Sequence, residues 1–416
     1  MRRIKYVAVV IAGICALMTA ALATTAGART RHAVAHPASS VLGKPDKAKG
    51  KPVVFGADNM NAAQGAAFPE SEEAGQAMVD YLNAYKGGLD GHPIKIDWCA
   101  TDGTPSGSGS CAKQLIADHP KAIIGASDLS TAVTIPLYAK AHLAYLGGMD
   151  FTPVEATAKN AVIFTDSAQL GNVIAGEYVV KTLHKKSVAV IALGNTQGQF
   201  SANVLWKPGI EKFGGTYTLF QVPLTSSTVT ATVEQAVTSG ATAIGLEDPG
   251  QCLALLQGLQ EAGWKGPVIS IDPCSAPVTI QAAGSAANGL LWTQPFQVPA
   301  THTADANLAV AILKKYAPAK IPIDSPALTE MQTLMNIWSA FHATSPSKLT
   351  EKYILKTFKT GKNHPNFLSS PYSCNDTAIP AYPAVCNASY YVYKIVNGQP
   401  VKVMNPTNEG AGLIQK

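Results

Sequence analysis

Short β-branched runs alternate with amphipathic segments from Pro52 to Phe296, about five times in each of two similar stretches. Such strand–helix–strand order builds parallel sheets, because a parallel neighbour can only be reached through a crossover segment. Many of the apolar runs are continuous, which is typical of strands covered on both faces. The body from Pro52 onward also exceeds the roughly 250–300 residues that one core supports. The sequence therefore predicts an α/β fold of two doubly wound lobes, each with a parallel central sheet.

The predicted strands are short and evenly spaced along both stretches. Ser71 is the expected cap of the first helix, and Gly107-Ser108-Gly109-Ser110 is interpreted as the loop before the second. Asn397-Gly398 between two strand-like runs predicts a closing hairpin. Strands are predicted at residues 52–55, 94–98, 122–125, 144–146, 188–193, 217–222, 243–246, 268–271, 290–292, 390–396 and 401–403.

The first 28 residues have the pattern of a secretion signal. Arg2, Arg3 and Lys5 form a basic start, and an uncharged apolar run covers residues 7–23. Small residues then offer cleavage after Ala23 or after Ala28. An uncleaved membrane anchor is the alternative, because the run is close to the lower length limit for spanning a bilayer. We expect an exported protein that acts in the periplasm, at the cell surface or outside the cell.

Residues 29–51 are basic and rich in Pro, Ala, Ser and Lys, which predicts a disordered linker. The net charge of +5 comes from the signal and this linker, since the remaining body is net negative. Bulk charge therefore gives no support for nucleic-acid binding. No arginine follows Arg31, so a guanidinium fork that clamps phosphate or carboxylate is excluded from the body. An anionic group on a ligand would need hydroxyls, backbone amides, helix N-termini or lysine.

Six cysteines lie beyond the predicted signal, an even number that favours three disulfides in an oxidising compartment. Their spacing does not have the close double pattern of a zinc site. Six cysteines allow 15 connectivities. We predict the pairs of nearest neighbours, because each closes a short loop inside one supersecondary unit: Cys99–Cys111, Cys252–Cys274 and Cys374–Cys386.

The sequence lacks the signatures of an enzyme. The Gly107–Ser110 run has no strand–elbow–helix setting for a nucleophile, and the histidines show no metal-binding spacing. No glycine fingerprint for a dinucleotide follows the first strand. We therefore expect no catalytic residues, no metal and no cofactor. A secreted α/β enzyme remains the weaker alternative.

Five segments stand out by their order and spacing: Gly56-Ala57-Asp58-Asn59, Asn83-Ala84-Tyr85-Lys86-Gly87-Gly88, Gly125-Ala126-Ser127-Asp128-Leu129-Ser130-Thr131, Gly258-Leu259-Gln260-Glu261-Ala262-Gly263 and Asn288-Gly289-Leu290-Leu291. Together they resemble the type I periplasmic solute-binding proteins, in particular the branched-chain amino-acid (Leu/Ile/Val) group of ABC importers. The resemblance implies that the chain crosses between two closing lobes three times, near Asp166, Gln294 and Asn387. It places residues 52–166 and 294–387 in lobe 1, and residues 167–293 and 388–416 in lobe 2.

The resemblance also implies site residues. The loop after the third strand offers hydroxyls and amides to a ligand carboxylate, here Ser127, Asp128, Ser130 and Thr131, and the next loop offers Asp150 and Thr152. Asp272 stands where an acid of the second lobe meets the ligand ammonium, and Glu247 and Asp248 lie where a residue packs over the ligand. The acid at Asp128, the acid at Asp150 and the lack of an aromatic residue near Glu247 depart from the family pattern.

Each acid has a structural alternative. Asp272 precedes Pro273, which is typical of an N-cap before Pro at N1, and Asp128 is placed to cap the helix that follows. The functional hypothesis is that Asp272, assisted by the other acids, attracts a cationic nitrogen while Ser130, Thr131 and Thr152 take any carboxylate. Ligands of open α/β sheets bind beyond the carboxyl ends of the strands, where all these residues fall.

These features predict a monomeric solute-binding protein that closes on a small amino-acid-like ligand, an amino acid or a related amine or amide, and then docks on an ABC permease. A ligand-sensing subunit of a surface receptor is the alternative with the same fold, because fold alone does not separate transport from sensing.

Overall fold

The computed structural model describes residues 41–414, with the exception of residues 63–66, 167–168, 224–227, 249 and 376–377. The predicted signal, residues 1–28, lies outside these residues. Within them, the strands form a five-stranded and a seven-stranded sheet. The strands are β1 (Val53–Asn59), β2 (Ile94–Ala100), β3 (Ile123–Gly125), β4 (Tyr145–Gly147), β5 (Ala161–Val162), β6 (Ser187–Leu193), β7 (Thr216–Val222), β8 (Ala243–Glu247), β9 (Val268–Ser270), β10 (Leu291–Gln294), β11 (Tyr390–Val396) and β12 (Gln399–Thr407).

The first sheet has the order β2-β1-β3-β4-β5, and all its neighbouring strands are parallel. Every residue of β3 and β4 is buried, as expected for a sheet covered on both faces. The four strands predicted in this stretch are confirmed. The prediction did not include β5, which has only two residues.

The second sheet has the order β12-β11-β10-β9-β8-β6-β7. Its strands from β6 to β10 pair in parallel, whereas β11 is antiparallel to both β10 and β12. The predicted hairpin is confirmed: Asn397 and Gly398 have φ angles of 52° and 74°, which a type I′ turn requires.

Helices lie between most of the strands, and a group of three helices separates β10 from β11. The helix before β6 continues as a π-helical turn over Tyr178–Thr182, and another, Ser201–Trp206, joins two short helices. The α-helices are α1 (Pro69–Tyr85), α2 (Pro105–Ala117), α3 (Thr131–Lys140), α4 (Pro153–Thr157), α5 (Leu170–Glu177), α6 (Thr196–Phe200), α7 (Lys207–Glu211), α8 (Thr230–Thr238), α9 (Cys252–Glu261), α10 (Pro277–Ala283), α11 (Ala304–Tyr316), α12 (Ser325–Phe341) and α13 (Glu351–Lys359).

Two predicted helix starts are wrong because a proline begins each helix earlier. Pro69 opens α1, so Ser71 lies inside the helix and its hydroxyl bonds to the Ser127 hydroxyl at 2.9 Å. Pro105 opens α2, so the Gly107–Ser110 run is helical and does not form the preceding loop. The Thr104 side chain caps α2 by accepting a hydrogen bond from the Gly107 amide at 3.1 Å.

The chain passes between the two sheets three times, which confirms the predicted fold class. It leaves the first sheet after β5 and builds the second sheet through β10. Apolar residues of α11, α12 and α13 then return to pack in one core with those of β1 and β4. The last crossing leads into β11. We call the five-stranded sheet with its helices lobe 1 and the seven-stranded sheet with its helices lobe 2; their exact boundaries stay a prediction.

The first and third crossings run side by side. Ile163 and Val385 form a parallel bridge, and the Cys386 amide donates to the Ile163 carbonyl at 2.8 Å. Farther along, the Asp166 amide donates to the Asn387 carbonyl at 3.0 Å. The two connecting segments are therefore a hydrogen-bonded pair.

The predicted linker is wrong over its last part, residues 41–51. Leu42 is buried, and the amides of Asp46 and Ala48 donate to carbonyls in the last turn of α1 at 3.1 and 2.9 Å. Those carbonyls have no partner inside the helix, so the segment satisfies them. It therefore belongs to the folded body. Residues 29–40 of the predicted linker lie outside the described residues.

All three predicted disulfides are confirmed. Cys99–Cys111, Cys252–Cys274 and Cys374–Cys386 have Cα separations of 5.7, 5.0 and 4.2 Å. The first tethers the end of β2 to α2, and the second tethers α9 to the turn after β9. The third closes a loop directly before the last crossing.

We expect the double replacement Cys374→Ser and Cys386→Ser to lower the free energy of unfolding by about 3 kcal/mol. The reason is the chain entropy regained by a loop of sequence separation 12. Urea unfolding under oxidising conditions measures the change. The bridge Cys99–Cys111 has the same separation and provides a matched comparison. A loss below about 1 kcal/mol would contradict the entropic estimate.

Candidate ligand-binding site

The loop after β3 holds four predicted ligand residues, and their polar groups bond within lobe 1. The Ser127 amide donates to Asn59 Oδ1 at 3.1 Å. Asp128 Oδ1 accepts from Ser108 Oγ and from the Ser130 amide, both at 3.0 Å. The Ser130 hydroxyl donates to a backbone carbonyl at 2.7 Å. Burial raises the pKa of Asp128 despite these bonds. Asp128 thus orders the turn before α3, but it is not the predicted cap: Ser130 is the N-cap residue of α3, and no side chain of the described residues caps that helix.

Thr131 and Thr152, from the loops after β3 and β4, meet around Glu155. Their hydroxyl oxygens are 3.4 Å apart, and both hydroxyls donate to the Glu155 carboxylate. The Thr152 amide also donates to Glu155 at 3.2 Å, which completes a capping box for α4. Burial raises the pKa of Glu155 to about 7. The prediction missed Glu155, although the Thr-x-x-Glu spacing of a capping box was present.

Asp150 lies at the first crossing and is fully buried. Its carbonyl accepts from Gln169 Nε2 at 3.1 Å, and its carboxyl group hydrogen-bonds to that of Asp166. Asp166 Oδ1 also accepts from the hydroxyl of Tyr390, the first residue of β11, at 3.1 Å. Burial raises the pKa of Asp166. Asp150 therefore belongs to a polar contact between the lobes at their connection.

Glu247 and Asp248 follow β8 and are enclosed within lobe 2. Glu247 Oε2 accepts from Trp206 Nε1 at 2.9 Å, and Asp248 Oδ1 accepts from the Gly250 amide at 3.1 Å. Burial raises the pKa of Glu247 to about 7, against the lowering effect of bonds from Trp206 and Ser201. Neither acid contacts lobe 1 through these bonds. The structure does not bring them together with the predicted residues of the other lobe.

Asp272 differs from the other predicted acids because it is partly exposed and bonds to both lobes. It follows β9 of lobe 2, and its Oδ2 accepts from the amide of Ser325, the first residue of α12 in lobe 1, at 3.1 Å. Its Oδ1 accepts from Gln294 Nε2 at 2.5 Å, and Ser325 Oγ donates to Gln294 Oε1 at 3.1 Å. Burial raises the pKa of Asp272 above its ordinary value. The carboxylate therefore links the two lobes.

Two further acids of lobe 1 surround this link. Burial raises the pKa of Asp324 to about 7, and the charges of Asp272 and Glu70 contribute to the rise. Burial also raises the pKa of Glu70. Within the described part of the chain, none of the three forms an ion pair at 4.0 Å or less. This contact between the lobes thus has an excess of acid, which suits a cationic group.

The prediction missed Gln294, Ser325 and Asp324 as partners of Asp272. Asp324-Ser325-Pro326 has the N-cap and early proline of a helix start, and Asp324 Oδ1 accepts from the Ala327 amide at 3.5 Å. That pattern is typical of a helix N-terminus. It did not reveal that the N-terminus would face β9, because the contact depends on the return of the chain to lobe 1.

The same edge of lobe 1 also carries apolar side chains. Phe68 at the start of α1 and Phe151 after β4 are partly exposed and stack with ring centroids 6.1 Å apart. Leu129 after β3 is 46% exposed. An apolar surface on lobe 1 therefore lies on loops that share the strand-end edge with the predicted polar residues.

Two surface grooves of about 680 Å³ each lie elsewhere, and none of the nine predicted ligand residues lines either one. One opens on lobe 2 near Trp264, and the other on lobe 1 near Pro136. Among residues 41–414 as described, no three His, Cys, Asp or Glu side chains are arranged to hold a metal ion. No helix in the described ranges has the length and apolarity needed to span a membrane.

Comparison with known proteins identifies the fold. A family sequence model described as "Periplasmic binding protein" matches residues 56–376. No curated protein matched the sequence. The branched-chain amino-acid transporter substrate-binding protein LivJ of Streptococcus pneumoniae, solved with isoleucine, is 14% identical over 86% of this chain and 100% of its own, with a TM-score of 0.68.

Two other similar structures are of proteins with different ligands or substrates. An ABC-transporter solute-binding protein from R. palustris, in complex with 4-hydroxybenzoate, is 16% identical over 86% of this chain and 96% of its own, with a TM-score of 0.70. A fatty acid ABC transporter substrate-binding protein from Thermomonospora curvata is 18% identical over 88% of this chain and 96% of its own, with a TM-score of 0.69. At these identities the likeness shows the fold and leaves the ligand open.

Proposed function

Because the chain belongs to the periplasmic binding protein family, we propose that it is the exported solute-binding protein of an ABC importer. Its ligand is a small amino-acid-like molecule, in first place a branched-chain amino acid, held between the two lobes. Closure over the ligand presents the outer faces of a monomer to a membrane permease. The protein binds the solute and does not transform it.

The position of Asp272 is the observation that carries this proposal. The carboxylate follows β9 of lobe 2 and accepts a hydrogen bond from the Ser325 amide of lobe 1. A ligand ammonium at this point would contact both lobes and favour their closed arrangement, since a ligand shifts a conformational equilibrium by its differential affinity. The nearby charges of Asp324 and Glu70 add to the attraction, and a buried ammonium needs such an acid.

The rest of an amino acid also fits the chemistry at this edge. The body contains no arginine, so the ligand carboxylate would be met by hydroxyls and amides near Ser127, Ser130, Thr131 and Thr152. The N-terminus of α3 favours negative charge. The Phe68–Phe151 pair and Leu129 would accommodate an apolar side chain. An amino acid, an aromatic acid and a fatty acid are all named among the similar structures, so the choice of an amino acid depends on the acids and hydroxyls described here.

We expect Asp272→Asn to weaken the binding of leucine or isoleucine roughly 10- to 100-fold, the value of a hydrogen bond to a charged group. The substitution keeps the shape of the side chain and removes its charge. Calorimetry on the purified exported form measures the affinity. Asp97→Asn provides a control, because Asp97 is a partly exposed acid on β2 of lobe 1 that pairs with Lys95 at 2.6 Å.

An unchanged affinity in Asp272→Asn would remove Asp272 from the site while leaving the family assignment intact. A thermal-shift screen of amino acids, amides and aromatic acids precedes the experiment, because a ligand that binds only the folded protein raises its Tm. If only aromatic or aliphatic acids raise the Tm, the amino-acid part of the proposal is wrong. Neighbouring genes for a permease and an ATPase would favour import, and a sensor kinase would favour the receptor alternative.

A further inference from the structure

The floor of the groove on lobe 2 is formed by apolar side chains. It has a volume of about 680 Å³ and lies where β9 and β10 begin, at the amino-terminal edge of the parallel strands. Leu256 and Leu259 of α9 line it together with Leu290 and Leu291, and these four side chains are between 2% and 5% exposed. The size is in the range of small-molecule sites.

Two separate cores of lobe 2 reach the surface in this groove. Leu256, Leu259 and Leu290 belong to the core on one side of the sheet, whereas Tyr178 and Leu291 belong to the core on the other side. Trp264 forms a wall and packs over the Gly266 backbone, where an added Cβ would lie 2.5 Å from the indole. An apolar occupant would therefore extend two existing cores.

The charged residues that line the groove all have the same sign. They are Lys185, Lys265 and Lys394, and no aspartate or glutamate lines it. None of the three lysines has an ion-pair partner within 4.0 Å in the described part of the chain. This grouping is unusual for a body whose net charge is negative. An apolar floor with a cationic rim is complementary to a molecule with an apolar body and an anionic head.

We propose that this groove is a second ligand site, which binds a small amphipathic anion such as a carboxylate on a hydrocarbon body. The hydrocarbon lies on the leucine floor against Trp264, and the carboxylate lies among the three lysines. The site is independent of the proposed site between the lobes, because the predicted ligand residues follow the carboxyl ends of the strands. The groove is at the opposite edge.

Decanoate is the test probe, and decyltrimethylammonium is a matched probe with the same chain and the opposite charge. Titration below micelle formation is followed by calorimetry and tryptophan fluorescence. The triple variant Lys185→Gln, Lys265→Gln and Lys394→Gln removes the cationic rim without changing the floor. We expect saturable decanoate binding that the triple variant weakens at least 10-fold, and no comparable binding of the cationic probe.

Two single variants locate the probe. Trp264→Phe should keep decanoate binding by calorimetry and lose most of the fluorescence response. Asp272→Asn should bind decanoate like the parent protein, because it changes only the site between the lobes. The proposal is overturned if decanoate does not saturate, if the triple variant with parent-like Tm binds it equally well, if both probes bind alike, or if Asp272→Asn alone alters binding.

Discussion

The protein is expected to be most stable at acidic pH and to lose stability as the pH rises from about 4 to above 7. Burial raises the pKa of several carboxyl groups far above their ordinary values of 3.8 or 4.5. Each rise to about 7 corresponds to roughly 3.5–4.5 kcal/mol at most. The groups raised to about 7 are Asp58, Glu155, Glu247 and Asp324.

The direction follows from proton binding. A folded-state pKa above the unfolded value means that the folded protein binds more protons between those two values. This stabilisation is fully present below the unfolded pKa, near pH 4, and is lost as the pH rises through about 7. Glu330 extends the effect, because burial raises its pKa further and neither carboxyl oxygen has a hydrogen-bond partner among the described residues.

Urea unfolding between pH 4.5 and pH 8 measures this dependence. We expect the free energy of unfolding to fall by at least about 3 kcal/mol over that range. Glu330→Gln should flatten the curve at its alkaline end, since the amide keeps the shape and cannot ionise. Glu211→Gln is the control, because Glu211 is an exposed acid on α7. A stability maximum near pH 8 in the parent protein would contradict the prediction.

The largest mutational loss is expected for Trp206→Ala. The indole is fully buried in lobe 2 and packs over Gly245, where an added Cβ would lie 2.7 Å from the ring. Truncation of a buried Trp costs about 3–5 kcal/mol through lost contacts and the cavity left behind. The variant also removes the donor to the buried Glu247 carboxylate, which adds about 1–3 kcal/mol.

Urea unfolding at fixed pH, followed by far-ultraviolet circular dichroism, measures the loss. Trp206→Phe keeps most of the packing and removes the N–H group, so it separates the hydrogen bond from the cavity. Adding Glu247→Gln to each background completes a double-mutant cycle for the pair. A loss below about 2 kcal/mol for Trp206→Ala would show that the indole does not support the core as described.

The strands were predictable because the pattern of a few neighbouring residues determines them. The disulfides were predictable because cysteines of an exported protein pair in an oxidising compartment. Short apolar and β-branched runs located eleven of the twelve described strands, and Asn397-Gly398 located the hairpin turn, since both signals act over a few neighbouring residues. The predicted helix starts missed Pro69 and Pro105, because the nearby serine and glycine residues also favour caps and loops and so competed with the proline signal. Residues 41–51 were misassigned because their stability depends on the distant end of α1.

The candidate site was less predictable because a carboxylate can bind a ligand cation or accept a hydrogen bond from a backbone amide equally well. Asp128, Glu247 and Asp248 bond to groups of their own lobe. Asp272 alone combines partial exposure with a bond to an amide of the opposite lobe, a contact that needs the full path of the chain. The sequence did not indicate the unusual position of Glu330. The periodicity of its helix predicts a buried face, but it does not show that the carboxyl group lacks hydrogen-bond partners there, within the ranges that the structure describes.

The hydrogen-bonded pairing of the first and third crossings has a mechanical consequence. The ribbon of two strands held from Ile163 and Val385 to Asp166 and Asn387 can bend as a unit, whereas sliding one strand along the other would break its backbone hydrogen bonds. The disulfide Cys374–Cys386 anchors one edge of this ribbon. We therefore expect the two lobes to rotate about a single axis at this ribbon. Each lobe would then approach a molecule held between them from one fixed direction.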